Sequence, residues 1–223
     1  MLRQKEPISF GVSDLTERFG GKFIVLDGPD GCGKSTQARL LDQWLRAQGV
    51  ATVSFRDPGT TVIGEKIREI LLSPAHDAMT TPAEVLLYMA ARAQLWAEEI
   101  GPALRQGKCV VLDRWLSSTC AYQGHAGGFG MEKVIAIARD SLERVWPDLT
   151  LVLDVDLQTA AGRLNRQLDR MEQKGDSYHA KVREGFLTLA GRRDDFAVVD
   201  ATKSAETVHQ AVLDAIRGLV SCH

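Results

Sequence analysis

Short apolar runs alternate with longer amphipathic stretches along most of the chain. Five of the runs are typical of buried strands, and they lie at Lys22–Asp27, Val50–Phe55, Lys108–Asp113, Leu149–Asp156 and Asp195–Ala201. Between them, apolar residues recur at helical spacing, as in residues 63–72, 81–104 and 205–220. Because strands that alternate with helices pair in parallel and are covered on both faces, the pattern predicts an α/β fold with a five-stranded parallel sheet.

Local signals indicate where helices and domains begin and end. Gly49 ends the first long helical stretch, and Thr81 followed by Pro82 marks a helix start with threonine as the cap. Residues 1–20 have no clear period, so we expect an N-terminal extension there and a single domain over residues 21–223. No repeat, low-complexity segment or long linker divides that domain.

Composition narrows the class of protein without changing this picture. The 223-residue chain has a net charge of −2, with 44% hydrophobic and 25% charged residues, which is typical of a globular protein and indicates no broad basic surface for nucleic acid. No apolar run is long enough to span a membrane, and the first residues lack a signal peptide's apolar core. The four cysteines form no Cys-x-x-Cys pair, which predicts reduced thiols and a cytoplasmic protein.

The segment GPDGCGKST fits the pattern G-x-x-x-x-G-K-[ST] of a phosphate-binding loop, and it lies between a predicted strand and a predicted helix. Glycines let backbone N–H groups face phosphate oxygens, and the helix N-terminus adds partial positive charge. We expect Lys34 to reach the β- and γ-phosphates and Ser35 to hold Mg²⁺. Cys32 is interpreted as a small residue that fits, rather than as a redox switch. The expected ATP-binding residues are Gly28, Pro29, Asp30, Gly31, Cys32, Gly33, Lys34, Ser35 and Thr36.

Charged residues at the ends of two other strands extend this site. Asp113 ends a buried strand, where P-loop enzymes place the carboxylate that holds Mg²⁺, and we favour this role over that of a helix N-cap. Arg56 and Arg114 also lie at strand ends, and two such guanidinium groups indicate a second phosphate, on an acceptor. Either arginine alone would be interpreted as surface charge.

A charge-dense segment, Leu164–Gly185, lies between the fourth and fifth predicted strands. It has two interpretations: a solvated helical face, or a mobile lid that brings an arginine onto the transferring phosphate and excludes water. Its charge alone does not choose between them.

Four stretches, in this order, resemble the thymidylate kinase family. They are FIVLDGPDGCGKST, FRDPGTTVIGEKIREILL, EVLLYMAARAQL and DRWLSSTCAYQG, and the resemblance covers residues 21–218. It implies a three-layer P-loop kinase fold, a helical lid over about residues 164–178, and a homodimer. It also implies ATP-dependent phosphorylation of dTMP to dTDP in dTTP biosynthesis, with Mg²⁺ as the cofactor.

The resemblance also implies an acceptor site. Asp30 would lie near the 3′-hydroxyl and phosphate of dTMP, and Arg56 would hold that phosphate with Arg114 beside it. Tyr88 stands where the family usually stacks a phenylalanine on thymine, and Arg92, on the same helix face, would bond the base carbonyl O4. The remaining expected contacts are Ser118 and Thr119 lining the base pocket, Tyr122 against the sugar C2′, and Gln123. Without the resemblance, each tyrosine would be interpreted as an ordinary core aromatic.

One form of the family carries its catalytic arginine in the lid, and the phosphate loop of this chain has no arginine. The segment LDRMEQ makes Arg170 the expected residue, followed by Arg166 and then Arg163. Adenine is expected near Ala201 and Thr202.

The expected chemistry is phosphoryl transfer. The dTMP phosphate is already nucleophilic at neutral pH, so we expect positioning and charge neutralisation by Lys34, Arg114 and Arg170, with Asp30 at the acceptor. Another nucleotide or nucleoside kinase is the nearest alternative. A nucleotide-dependent switch is the alternative from a different class, and it would not require an added monophosphate.

The sequence departs from the family's usual residues at Asp27, Asp57, Thr60 and Trp115. Thr60 replaces a common glycine, and because a β-branched residue resists positive φ, we expect the local turn to differ. None of the four changes removes an expected phosphate ligand.

Overall fold

The computed structural model of the chain describes residues 12–164 and 168–221. Its strands are β1 (Phe23–Asp27), β2 (Thr52–Arg56), β3 (Cys109–Asp113), β4 (Leu149–Asp154) and β5 (Phe196–Asp200). Its α-helices are α1 (Val12–Phe19), α2 (Lys34–Ala47), α3 (Val62–Leu72), α4 (Thr81–Leu95), α5 (Gly101–Arg105), α6 (Leu116–Thr119), α7 (Met131–Ser141), α8 (Leu157–Arg163), α9 (Asp176–Ala190) and α10 (Ala205–Ser221).

All five strands pair in parallel, in the order β2–β3–β1–β4–β5, which confirms the predicted sheet. β1 is the central strand, with Leu26 opposite Asp113 of β3 and Asp27 opposite Val152 of β4. The chain runs outward from β1 to β2, returns to β3, and then crosses to β4 and β5 on the other side. Open α/β sheets bind ligands beside such a reversal, at the carboxyl ends of the strands.

Alternate residues of the strands enter two apolar cores, one on each face of the sheet. Phe23 and Val25 of β1 belong to the core that α4, α7 and α9 complete, whereas Ile24 and Leu26 belong to the core that α2 and α10 complete. β1 is buried along its whole length, which explains its unbroken apolar sequence. Among the helices of the described ranges, none is both long enough and apolar enough to cross a bilayer.

Each strand ends in a charged residue, and because the strands are parallel these residues lie along one edge of the sheet. They are Asp27, Arg56, Asp113, Asp154 and Asp200. The register places Arg56 of β2 directly beside Asp113 of β3. Charge is therefore concentrated at the edge where a nucleotide is expected to bind.

Two segments of wider, π-type turns interrupt the helices, and the second of them reaches this edge. Trp96–Ile100 joins α4 to α5, so the helix predicted over residues 81–104 is divided, and Cys120–Ala126 follows α6. Such turns shift side chains away from ordinary helical spacing and are frequent at functional sites. The second segment carries Tyr122 and Gln123.

Helix α1 lies inside the expected N-terminal extension, yet its side chains belong to a core of the domain. Leu15 is 6% exposed and Phe19 is fully buried, in the same core as Ile24. The ring of Phe19 meets that of Trp44 edge-on, with 6.4 Å between their centroids. Two apolar contacts on a short helix give little periodicity in the sequence. The boundary after residue 20 stays a prediction, and residues 1–11 lie outside the described residues.

We expect the substitution Phe19→Ala to lower the free energy of unfolding by about 3–5 kcal/mol, because it leaves a cavity in a closed core. Urea denaturation followed by tryptophan fluorescence measures this change. The exposed neighbour Glu17 provides a control, since Glu17→Ala should change stability by less than about 0.5 kcal/mol. Equal effects of the two substitutions would mean that α1 contributes nothing to the core.

Candidate active site

The phosphate loop joins β1 to α2, and it has glycine where a side chain would not fit. Gly28 has a φ of 139°, and a Cβ atom there would lie 2.5 Å from the carbonyl oxygen of Leu153. Gly31 has a φ of 75°, and its Cβ would overlap the carbonyl oxygen of Ala160. The loop backbone therefore packs directly against the end of β4 and against α8.

The side chain of Lys34 folds against the loop. Its Nζ donates to the carbonyl oxygens of Gly28, at 3.1 Å, and Pro29, at 2.7 Å, and it lies 3.5 Å from Cys32 Sγ. Burial raises the pKa of the Cys32 thiol, although the positive charges of Lys34 and Arg114 oppose the shift. A buried, neutral thiol favours the interpretation of Cys32 as a residue that simply fits the loop.

The structure brings Ser35 and Asp113 together, as expected for two groups that share a cation. Ser35 Oγ donates to Asp113 Oδ2 at 2.6 Å. Hydroxyl and carboxylate oxygens are ligands that suit Mg²⁺. In the described ranges, no group of three or more His, Cys, Asp or Glu residues could hold a metal by itself. A Mg²⁺ ion that takes its other ligands from phosphate and water needs only such a partial set.

The carboxylate of Asp27 organises the start of the loop and the segment after β3. It is completely buried at the end of β1, and its Oδ1 accepts hydrogen bonds from Gly28 N at 2.9 Å and Ser118 Oγ at 2.6 Å. Oδ2 accepts from Ser117 Oγ at 2.6 Å and from Trp115 N at 3.4 Å. Asp27 had no role assigned from the sequence, although a carboxylate that ends an otherwise apolar central strand is a signal that could have revealed it.

Arg114 lies between the phosphate loop and the acceptor side of the cleft. Its backbone has a φ of 71°, an unusual conformation for a residue other than glycine. Its guanidinium donates to Gly28 O at 3.1 Å, to Ser118 Oγ at 2.8 Å and to the carboxylate of Asp30. The carbon of the guanidinium also lies 5.3 Å from the ring centroid of Tyr122. Strained backbone of this kind is characteristic of functional sites, where surrounding contacts hold it in place.

Asp30 connects this arginine to Tyr122. Tyr122 Oη donates to Asp30 Oδ2 at 2.7 Å, while Arg114 binds the other oxygen. Burial acts to raise the pKa of Asp30, but the charges of Arg114 and Lys34 and the hydrogen bond from Tyr122 outweigh it, so that the pKa is lowered. Asp30 is therefore an ionised group at the boundary between the phosphate loop and the acceptor pocket.

Arg92 is buried in the wall of the cleft, held by an ion pair. Its Nε donates to Asp57 Oδ2 at 2.8 Å, and its Nη2 lies 2.6 Å from the same oxygen. Nη2 also donates to Thr119 Oγ1 at 3.1 Å, and the guanidinium carbon lies 5.2 Å from the ring centroid of Trp115. Among the described residues, Nη1 has only the weak acceptor Met89 Sδ, at 3.5 Å, so it is the nitrogen best placed to serve a ligand.

The pKa of Asp57 is shifted in the opposite direction from that of Asp30. Its Oδ1 is buried and has no hydrogen-bond partner within the described part of the chain. Burial raises the pKa of Asp57, and the nearby charge of Arg92 offsets this only in part. Tyr88, one helical turn before Arg92 on α4, lines the same wall, as the sequence predicts.

The turn after β2 keeps positive φ in spite of its threonine. Thr60 has a φ of 69°, so our expectation of a different turn is corrected. Its hydroxyl group accepts from Arg56 N at 3.0 Å and donates to Arg56 O at 3.1 Å, and these bonds offset the strain. The guanidinium of Arg56 is half-exposed and pairs with Glu65 of α3, at 2.8 Å.

The structure does not bring Arg170 to the cleft, and this corrects its expected place in the catalytic site. Its guanidinium is buried, with Nη1 2.5 Å from Glu84 Oε1 and Nε donating to Leu71 O at 2.8 Å. A buried carboxylate and a main-chain oxygen satisfy this cation more fully than the open cleft would. Arg166 lies outside the described residues.

Arg163, at the end of α8, does line the cleft. Its Nη1 donates to Ala201 O at 2.8 Å, and its Nη2 lies 3.4 Å from Thr202 O and from Lys203 O. These carbonyls belong to the turn after β5, where adenine is expected. Of the candidate catalytic arginines that the structure describes, Arg163 is the one that lines the cleft, at the entrance to the expected adenine site.

The phosphate loop, Arg114, Tyr88, Arg92 and Arg163 line one cleft of about 470 Å³, a size that suits a small ligand. The cleft is also lined by Arg68 of α3, a residue that the sequence analysis missed, although its spacing from Leu72 places both on one helix face. Burial lowers the pKa of Arg68, and repulsion from Arg56 and Arg114 lowers it further. Such crowding of cations is favourable only where anionic groups bind.

Three comparisons with known proteins agree on one family. The family model described as Thymidylate kinase matches residues 26–212. Proteins named thymidylate kinase from Cutibacterium acnes and Pelotomaculum thermopropionicum are 42% and 44% identical, and the matches cover 91% and 87% of this chain and 99% and 92% of theirs. The crystal structure of thymidylate kinase from Ehrlichia chaffeensis superposes with a TM-score of 0.72 at 27% identity, over 89% of this chain and 99% of that one.

The three tyrosines of the chain, Tyr88, Tyr122 and Tyr178, should all resist ionisation in the folded protein. Burial raises the pKa of each above the usual 10.0. Because the folded values lie above the unfolded one, the neutral phenols stabilise the fold below that pH, and this stability is lost as the pH rises toward the folded values. Absorbance at 295 nm should show little tyrosinate in native protein up to about pH 10.5, whereas protein in urea titrates near pH 10. A normal native titration of Tyr122, which is 5% exposed, would contradict its packing in the wall of the cleft.

Thr60 gives a second test of the site. Thr60→Ala removes both hydroxyl bonds to Arg56 and keeps the positive φ, so it should destabilise the fold by about 1 kcal/mol or more. Thr60→Gly removes the same bonds but also relieves the strain, so it should be the more stable of the two variants by about 1 kcal/mol. Thermal unfolding of both variants measures the difference, and the reverse order of stability would refute this account of the turn.

Proposed function

The chain belongs to the thymidylate kinase family and uses ATP to phosphorylate dTMP to dTDP in dTTP synthesis; we propose that the cleft at the carboxyl edge of the sheet carries out this transfer through the residues described above. The observation that carries the proposal is a single cleft, with a phosphate loop on one side and a pocket of arginines and tyrosines on the other.

On the donor side, the backbone N–H groups of the loop and the N-terminus of α2 bind the phosphates of ATP. Lys34 leaves its loop carbonyls to neutralise the β- and γ-phosphates. Ser35 and Asp113 would hold Mg²⁺, which supplies positive charge to the triphosphate when bound. Arg163, beside the carbonyls of Ala201 and Thr202, closes the adenine end.

On the acceptor side, Arg56 and Arg114 bind the phosphate of dTMP, with Arg68 adding charge at the same wall. Arg56 exchanges its exposed partner Glu65 for this phosphate, and such an exposed ion pair is weak. Asp30 holds Arg114 and Tyr122 in place, so the arginine stays between the two phosphates. Because a phosphate oxygen needs no deprotonation, catalysis consists of alignment and charge neutralisation.

The remaining cleft residues recognise the nucleoside. Tyr88 stacks on the base, and Nη1 of Arg92 donates a hydrogen bond to the carbonyl O4. Tyr122 limits the space at the sugar C2′. The hydroxyl groups of Ser118 and Thr119 accept hydrogen bonds from Arg114 and Arg92, and they act by holding these arginines in place.

The cellular setting is part of the same proposal. Cys32, Cys109 and Cys120 are free thiols buried in the described part of the chain, which supports a cytoplasmic location. Val62, Ile63 and Leu86, on α3 and α4, are exposed apolar side chains, and they support association into a homodimer. We propose that the protein binds neither nucleic acid nor a membrane.

The experiment that tests the function is ADP release from Mg·ATP, with dTMP, dUMP, ribose TMP, dCMP, dGMP and AMP as separate acceptors and a reaction without acceptor. We expect turnover to require an acceptor and to be fastest with dTMP. The variant Lys34→Met is the control for contaminating kinases and should lose activity by about 10²-fold or more. ATP loss that no acceptor changes would replace transfer by a nucleotide switch, and preference for another monophosphate would overturn the assignment of the base pocket.

A further inference from the structure

Glu84 of α4 is a buried carboxylate that the mechanism above does not use. It is 1% exposed and lies one helical turn before Tyr88, close to the base pocket. A buried carboxylate is unfavourable unless charges and hydrogen bonds compensate it. The partners of Glu84 come from two separate parts of the chain, one on each oxygen.

The first oxygen, Oε1, is held by residues that follow α8 in the expected lid. Arg170 Nη1 lies 2.5 Å away, and Lys174 Nζ lies 3.5 Å away. Arg170 is fixed in turn, because its backbone N–H donates to Leu72 O at 3.0 Å and its Nε to Leu71 O. The carboxylate plane is therefore set by contacts with this segment.

The second oxygen, Oε2, accepts a hydrogen bond from Gln123 Nε2 at 2.9 Å. Gln123 is 1% exposed and lines the cleft. A carboxylate only accepts hydrogen bonds, so the amide nitrogen of Gln123 must face Glu84. The carbonyl oxygen is then the group of this amide that can serve a ligand in the cleft.

The direction of that amide matters for recognising a pyrimidine. Thymine and uracil present the acceptor O4 beside the donor N3–H, whereas cytosine presents a donor amino group beside the acceptor N3. In the cleft, Arg92 can only donate and the free oxygen of Gln123 can only accept. Together they match the edge of thymine and oppose the edge of cytosine.

We propose that Glu84 is a positioning residue that sets base selection by fixing the amide of Gln123, and that Arg170 and Lys174 keep Glu84 in place. The inference rests on the proposed function, since it concerns the acceptor of that reaction. It gives Arg170 a role in selecting the acceptor rather than a direct contact with the transferring phosphate.

The test is the variant Glu84→Gln, assayed with dTMP and dCMP. The new amide keeps its oxygen toward Arg170 and turns its nitrogen toward Gln123, which must then flip and present its own nitrogen to the base. We expect the ratio of kcat/KM for dTMP to that for dCMP to fall about tenfold or more, mainly through a higher KM for dTMP. The exposed Glu98 on the π-turn after α4 provides the matched control, and Glu98→Gln should leave the ratio unchanged.

A double-mutant cycle separates positioning from a general structural effect. Gln123→Leu should itself lower the ratio, and adding Glu84→Gln to it should lower the ratio no further. Equal losses for dTMP and dCMP in both backgrounds would overturn the proposal. Full selectivity for dTMP over dCMP in the single variant Gln123→Leu would also overturn it. That measurement remains valid even if the variant Glu84→Gln does not fold. A wild-type protein that does not phosphorylate dTMP would instead overturn the proposed function.

Discussion

The side chain of Asp27 receives four hydrogen bonds from two distant segments at the end of the central strand, from Gly28, Trp115, Ser117 and Ser118. Arg114 adds a charge at 3.6 Å. A fully buried carboxylate is tolerable only when such partners are all present, so the start of the phosphate loop and the segment after β3 are held in one arrangement. The donor and acceptor sides of the cleft share this single anchor.

On the acceptor side, two other buried acids also hold together segments that are distant in the chain. Asp57 directs Arg92 into the wall, and Glu84 connects Arg170 to Gln123. In each case the acid and its arginine lie on elements that are far apart in the chain, so the pair forms only in the complete fold. Phosphoryl transfer depends on alignment more than on reactive side chains, and rigid buried pairs are a suitable way to achieve alignment.

The sequence predicted the sheet, the phosphate loop and the pairing of Ser35 with Asp113, because these depend on local pattern and on the rule that parallel strands end at one edge. It did not reveal Asp27 or Glu84, since the partners of a buried acid are set by tertiary contacts that no spacing encodes. Arg170 was misplaced for the same reason: the resemblance of LDRMEQ to a lid that carries the catalytic arginine implied a contact with phosphate, whereas a buried acid satisfies this guanidinium. Thr60 tolerates positive φ through hydroxyl bonds to Arg56 that depend on the turn itself.

The close packing of the phosphate loop has a consequence for biosynthesis. Gly28 and Gly31 are among the first residues of the domain to leave the ribosome, but the carbonyl groups that bound them belong to Leu153 and Ala160, much later in the chain. Closing so long a loop carries an entropic cost that only the assembled sheet repays. A nascent chain that ends before β4 therefore has the complete loop sequence without the shape that binds nucleotide, and binding competence arrives only after most of the protein has been made.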